Sequence, residues 1–255
     1  MIRLADVSKT YGTGSTALSN ISFDIDKGEF VFLMGPSGSG KTTLLRLMIK
    51  DMEATSGSII VNNTDVTHLP KSKIPQLRKL IGVVFQDLKM LMDRTIFENI
   101  ALPLEMAGAS KEEATMRVDA ILKQVGIEGH ADKFPIQLSG GELQRAAIAR
   151  ALVFSPEILL ADEPTGNLDN TTSWEIVKLL QDINKMGTTV VMATHNTEVI
   201  DSLKKRTIAL EKGKLMHDSK KPEASHAHTK VHEKKVEDDT LVKDALEKGE
   251  VNENA

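Results

Sequence analysis

Short apolar runs bounded by polar turns recur along this chain and alternate with stretches of helical spacing. Ile2 to Val7, Ile21 to Ile25 and Phe30 to Met34 read as strands, with the polar loop Lys9-Thr10-Tyr11-Gly12-Thr13-Gly14 between the first two. The third is apolar almost throughout, as a strand covered on both faces must be. Thr43 to Ile49 has helical composition. Ile59 to Val61 reads as a strand between turns, Lys73 to Leu80 as a short helix, and Ile81 to Phe85 as a buried strand that ends on Gln86 and Asp87. From Leu88 to about Lys133 the spacing turns helical, and Ser110-Lys111-Glu112-Glu113 has the spacing of a capping box that opens a helix running to Gln124.

Ser139 is placed to cap an alanine-rich helix whose first turn holds Gly140 and Gly141. Glu157 to Ala161 is an apolar strand that stops on Asp162 and Glu163. A helix over Thr171 to Lys185 follows, with Trp174 as a packing residue, and the apolar strand from Thr188 ends at His195. A hairpin around Lys212-Gly213 closes the pattern. Strands and helices in this alternation predict an α/β domain, with the helices between Leu88 and Lys133 forming a lobe inserted into the sheet.

Composition narrows the setting. At 255 residues the chain can bury a sizeable core, and a net charge of -4 supplies no electrostatic reason to expect a nucleic-acid partner. With no cysteine, neither a disulfide framework nor a thiolate metal site can form. The first residues carry no signal-peptide core, and no apolar run approaches the roughly 18 residues of a spanning helix. The expectation is a cytosolic chain that meets a membrane only through a partner. Beyond Ser219 lysine, glutamate, aspartate and histidine dominate, which predicts a disordered tail in which His226, His228 and His232 are solvated.

The most specific chemistry is Gly35-Pro36-Ser37-Gly38-Ser39-Gly40-Lys41-Thr42-Thr43, which fits G-x-x-x-x-G-K-[ST] between a strand and a helix. Glycines let backbone NH groups curl round phosphate oxygens, and the helix start adds its positive dipole end. Lys41 would reach the terminal phosphates and Thr42 would offer its hydroxyl to Mg²⁺. Asp162 can hold the cation and Glu163 can orient or deprotonate an attacking water, since consecutive strand residues point to opposite faces. Gly-Gly at the start of the Ser139 helix is costly for a helix and is explained by close backbone approach to a phosphate. His195 is the third polar group at a strand end, which favours a γ-phosphate contact. On the residues alone Tyr11 is an ordinary surface or packing aromatic, Gln86 is the first residue of a loop, and the methionines and leucines of Leu88 to Phe97 fill a core.

Taken together, the phosphate loop, Gln86, Leu138-Ser139-Gly140-Gly141-Glu142, Asp162-Glu163, Asn167-Leu168-Asp169 and His195 resemble, in order and spacing, the ATP-binding subunit of ABC transporters over residues 1 to about 217. That resemblance implies a P-loop NTPase of the ABC nucleotide-binding type. Such a domain has a mixed sheet core, an antiparallel β subdomain, a helical subdomain inserted at about 88–153, and here a tail over 218–255. It implies that Tyr11 stacks on adenine, that Gly35 to Thr43 hold ATP, and that Thr42, Gln86 and Asp162 hold Mg²⁺. It makes Glu163, His195 and Gln86 catalytic, with Gln86 also sensing a membrane partner. Ser139, Gly140 and Gly141 would face the γ-phosphate held by a second copy, and Asp169 would make a dimer contact in a two-fold homodimer.

Leu91-Met92-Asp93-Arg94-Thr95, Glu98-Asn99-Ile100-Ala101-Leu102-Pro103-Leu104 and Phe134-Pro135-Ile136-Gln137 are similar to the cell-division members of that family, which implies a transmembrane partner and control of cell-wall hydrolysis. Pro164 to Asp169 is shared with lipoprotein-release and macrolide-export members, so an export ATPase is the alternative; a nucleotide-gated tether is a third possibility. Asn196 stands where an aspartate is common after the histidine, and the tail matches nothing in the family.

Overall fold

The computed structural model describes residues 1–220, so the expected tail beyond Lys220, with its three histidines, lies outside the described residues. Within them the chain forms β1 (Ile2–Thr10), β2 (Thr16–Ile25), β3 (Phe30–Met34), α1 (Lys41–Met48), β4 (Ser56–Val61), β5 (Thr64–Asp65), α2 (Ile74–Leu80) and β6 (Ile81–Val84). There follow α3 (Ile96–Met106), α4 (Lys111–Val125), α5 (Gly140–Leu152), β7 (Ile158–Asp162), α6 (Asn170–Lys185), β8 (Thr189–Thr194), α7 (Thr197–Leu203), β9 (Arg206–Glu211) and β10 (Lys214–Asp218). One antiparallel sheet runs β2-β1-β4-β5; the second runs β10-β9-β3-β8-β7-β6 and is parallel except for β10. The fold is a mixed α/β one with a separate antiparallel sheet.

The parallel strands read as unbroken apolar runs because both faces are covered. Phe30 and Phe32 on β3, Leu159 and Ala161 on β7, and Val190 and Met192 on β8 face the core made with α3, α4, α5 and α6. Their neighbours Val31 and Leu33, Ile158 and Leu160, and Val191 and Ala193 face the second core, made with α1 and the antiparallel sheet. The registers Phe30↔Val190 and Leu159↔Val190 keep this parity across three strands, so a one-residue slip would exchange the two cores. Phe32 is fully buried, and truncating it to alanine costs about 3–5 kcal/mol.

Two expectations change at element ends. The segment Leu88 to Thr95 is not helical: Leu88 and Lys89 sit in the left-handed region with φ of 55° and 52°, and the helix starts only at Ile96. Thr95 supplies the reason, because its side chain and Glu98 form a complete capping box there. At Ser110 only half of the box forms: its hydroxyl accepts from the Glu113 amide. A helix not foreseen, α7, is capped by Asn196, whose side chain accepts from the Val199 amide. At the far end β10 carries Asp218 inward, where Arg206 grips both its carboxylate oxygens at 2.8 and 2.7 Å. Among the described residues no helix is long and apolar enough to cross a membrane.

Candidate functional site

The loop between β3 and α1 is pinned from behind. Gly40 has φ of 106°, and a Cβ there would lie 2.7 Å from Leu18 Cδ2 and 2.8 Å from the Ala17 carbonyl, so the loop sits against β2 as closely as glycine alone permits. In front it lines a cavity of about 850 Å³ together with Tyr11, Thr16, Gln86, Glu163, Asn167 and His195. Lys41 is buried, and its ammonium donates to the Gly35 and Pro36 carbonyls at 2.6 and 3.2 Å. It also lies 3.3 Å from Glu163 Oε1. Tyr11 is half-exposed at the rim; its hydroxyl shares a hydrogen bond with Thr43 Oγ1 at 3.0 Å, and Lys9 Nζ stands 5.7 Å from its ring centre. Its ring is thus held at the start of α1 and lines the cavity.

The parallel strands deliver the polar groups to one edge, where open α/β sheets carry their chemistry. Gln86 is exposed just past β6, Asp162 is the last residue of β7, and His195 follows β8. Strand alternation alone would send Glu163 to the opposite face from Asp162. Instead β7 ends at Asp162 and Glu163 takes φ of 47°, a conformation costing a non-glycine residue roughly 1 kcal/mol or more. This turn brings its carboxylate between Lys41 and His195, whose Nδ1 is 3.0 Å from Oε2. Asp162 is buried, and burial raises its carboxyl above the ordinary range, against the Thr42 hydroxyl, which lowers it; the neighbouring Glu163 charge raises it further. Its Oδ1 has no hydrogen-bond partner. Among the described residues no group of three His, Asp or Glu side chains gathers for a metal.

The second predicted binding segment lies apart. Ser139, Gly140 and Gly141 line a cavity of about 300 Å³ with Asn167, Asp169 and Thr172, and Asn167 alone also borders the phosphate cavity. Ser139 and Glu142 form a full capping box: the Ser139 amide and hydroxyl donate to Glu142 Oε2 at 2.8 and 2.7 Å. Those hydrogen bonds, against a smaller opposing effect of desolvation and with a lesser contribution from His130, lower the Glu142 carboxyl to about 2. Gly141 also packs closely inside the chain: a Cβ there would stand 2.5 Å from Thr172 Cγ2, so α5 starts flush against the first turn of α6. Asp169 caps α6, accepting from the amide and hydroxyl of Thr172 at 3.0 and 2.5 Å.

Two residues that organise the next surface escaped the sequence reading. Asn99 is fully buried on α3; its side chain accepts from the Leu91 amide at 2.8 Å and donates to the carbonyls of Leu91, Arg94 and Thr95. Its sequence signal is a lone amide inside the apolar run Ile96 to Leu102. Arg150 on α5 donates to the carbonyls of Leu88 and Lys89, holding both left-handed residues; nothing in the sequence marks it. Between them these two knot the segment from which Leu91 and Met92 project, at 37% and 54% exposure. Leu88, Met90 and Phe97 pack against the core and Ile96 is fully buried, as their composition indicates, whereas the exposed Leu91 and Met92 fit a contact surface.

A strand, a glycine loop and a helix beside an acid-terminated strand, with a capped Ser-Gly-Gly helix start on a second surface, define a nucleotide-binding domain of the ABC type. The ABC transporter family model matches residues 18–166. The "Cell division ATP-binding protein FtsE" of Bacillus subtilis is 47% identical over 223 residues, covering 88% of this chain and 98% of that one. The protein of the same name from Escherichia coli is 47% identical over 215 residues, covering 84% of this chain and 97% of its own. Among solved structures, the dimeric post-hydrolysis state of the ATP-binding cassette MJ0796 bound to ADP and Pi is similar, with a TM-score of 0.78 at 38% identity over 86% of this chain and 97% of that one. The chain belongs to the ABC transporter family of ATPases, in the branch of the cell-division ATP-binding protein FtsE.

Proposed function

We propose that this chain is the ATP-hydrolysing subunit of an FtsEX-like complex. In this reading it pairs with a second copy around ATP and drives an FtsX-like transmembrane protein that regulates cell-wall hydrolysis in division. The observation that carries the reading is the separation of the two binding segments. Lys41 and Glu163 line one cavity, Ser139 to Gly141 line another, and only Asn167 borders both. A γ-phosphate held by Lys41 is therefore completed by the Ser139 edge of another molecule, in a two-fold pair. That the cassette MJ0796 forms a dimer supports the same arrangement.

Within each site Lys41 leaves its loop carbonyls for the β- and γ-phosphates, and Tyr11 offers its ring to adenine. Glu163 accepts a proton from water attacking the γ-phosphorus while the bond to the β-phosphate oxygen breaks, giving ADP and phosphate. His195 orients that carboxylate through Nδ1 and presents the rest of its ring to the γ-phosphate. When bound with the nucleotide, Mg²⁺ supplies charge neutralisation across the β- and γ-phosphates. Thr42, Gln86 and Asp162 would hold it, and the buried, unpartnered Asp162 Oδ1 fits the oxygen donor a hard cation takes. The surface formed by Gln86 and Leu88 to Leu104, with exposed Met92, would receive a cytoplasmic helix or loop of the membrane protein. The chain would then be cytoplasmic and peripheral on the inner face of the membrane, without touching lipid or nucleic acid itself.

Glu163→Gln tests the pairing: it should bind ATP and run as a closed dimer in size-exclusion chromatography with almost no turnover, and normal turnover would remove Glu163 from this role. Charged substitutions at Met90 and Met92 should abolish co-purification with the FtsX-like protein; unchanged recovery would withdraw the docking surface.

A further inference from the structure

Ser139 can clasp a phosphate held by a second chain only by donating its single hydroxyl proton, and in the free chain that proton is committed to Glu142 Oε2 at 2.7 Å. The other carboxylate oxygen, Oε1, lies 2.8 Å from His130 Nε2. His130 comes from outside the signature helix, in the short turn Glu128–His130 after α4. Its Nδ1 is buried without a partner, so Nε2 is the ring nitrogen that engages the carboxylate. The segment behind it is fixed in turn: the amides of Ile96 and Phe97, at the start of α3, donate to the carbonyls of Lys133 and Ala131, each at 2.8 Å. The backbone just after His130 is therefore tied to the start of α3, the element that carries the proposed docking surface.

We infer that His130 is a positioning residue for the second-chain clasp: by donating to Glu142 it keeps that carboxylate seated at the helix start, so the Ser139 hydroxyl can leave it for the phosphate. Without His130, releasing the hydroxyl leaves the Glu142 carboxylate with the Ser139 amide as its one remaining partner, and the seat at the helix start is weakened. The inference rests on the two-chain reading above.

The test uses the full chain in the Glu163→Gln background, with the ATP concentration for half-maximal dimerisation read by light scattering. His130→Phe should raise that concentration about tenfold, the effect of one lost charge-assisted hydrogen bond. Binding of a fluorescent ATP analogue to the single chain, and the melting curve without nucleotide, should stay within about twofold and a few degrees of the parent. His130→Gln, which keeps an amide donor at similar reach, should restore dimerisation to near the parent value. Dimerisation of His130→Phe at the parent ATP concentration overturns the inference, and so does a His130→Gln variant as defective as His130→Phe, because the histidine is then only a packing residue. Ser139→Ala in the same assay separates the two levels: if it pairs normally, or if Glu163→Gln alone never pairs, the two-chain clasp itself fails and His130 falls with it.

Discussion

The two binding edges of this chain solve opposite problems. The phosphate loop is backed closely onto β2 at Gly40, and its buried lysine is satisfied by its own loop carbonyls and by Glu163, so everything needed to seize a triphosphate from one side lies within a single chain. The Ser139 edge is exposed and self-capped, and it lines a cavity that Lys41 does not reach. Rigid enclosure suits a site that must bind before anything else happens; an exposed, internally satisfied cap suits one that engages only when a second molecule arrives.

The strongest way to break this contrast is to disable chemistry while leaving both edges intact. Glu163→Gln should lower steady-state ATP turnover by about 10²–10⁴-fold with nucleotide affinity preserved, the loss expected for a general base. Next in size is the pair of glycine substitutions. Gly40→Ala puts a Cβ against the Ala17 carbonyl at a left-handed φ, and thermal unfolding should show a loss of about 2–3 kcal/mol along with weakened nucleotide binding. Gly141→Ala meets only the Thr172 methyl, so it should cost less, and Thr172→Ser should relieve it. Equal costs at the two positions would erase the distinction between a walled loop and an open one.

Asp162→Asn should act in the other direction. A carboxyl whose folded pKa lies above its unfolded value of 3.8 lends stability below that value and loses it as pH rises through the folded pKa, so at neutral pH the ionised group is a burden. The amide should therefore stabilise the nucleotide-free protein at neutral pH by about 1 kcal/mol, a gain that fades in acid, while raising the Mg²⁺ concentration that turnover requires.

The smallest effect belongs to the cap. Glu142, lowered to about 2 from 4.5, contributes stability that is fully present above pH 4.5 and is lost as pH falls toward 2. Glu142→Gln should melt a degree or two lower than the parent near neutral pH, and the two curves should converge at the acid end. A difference independent of pH would remove the carboxylate from that role.

Much of this was legible in the residues themselves. The limits of β3, the cap at Ser139 and the polar strand ends at Gln86, Asp162 and His195 follow from local composition, because a doubly covered strand must be apolar and must stop where it meets solvent. Leu88 to Thr95 misled for a physical reason: leucine and methionine favour helix, but two carbonyls gripped by Arg150 and a loop knotted by Asn99 outweigh propensity, and both partners are distant in sequence or hidden in an apolar run. Glu163 lies just past the end of β7, so its place between Lys41 and His195 follows from its left-handed turn rather than from strand parity.

The order of motifs by itself pointed to the family, and through that resemblance to the two-sheet architecture. It also supplied the α/β alternation and the residue types available for phosphate chemistry, because these depend on spacing along the chain. Only the tertiary structure decided that Lys41, Glu163 and His195 form one connected group, that Ser139 lies beyond their cavity, and that His130 stands behind Glu142. Those are relations between segments brought together by packing, and no local pattern encodes the distance between side chains that meet only across a folded core.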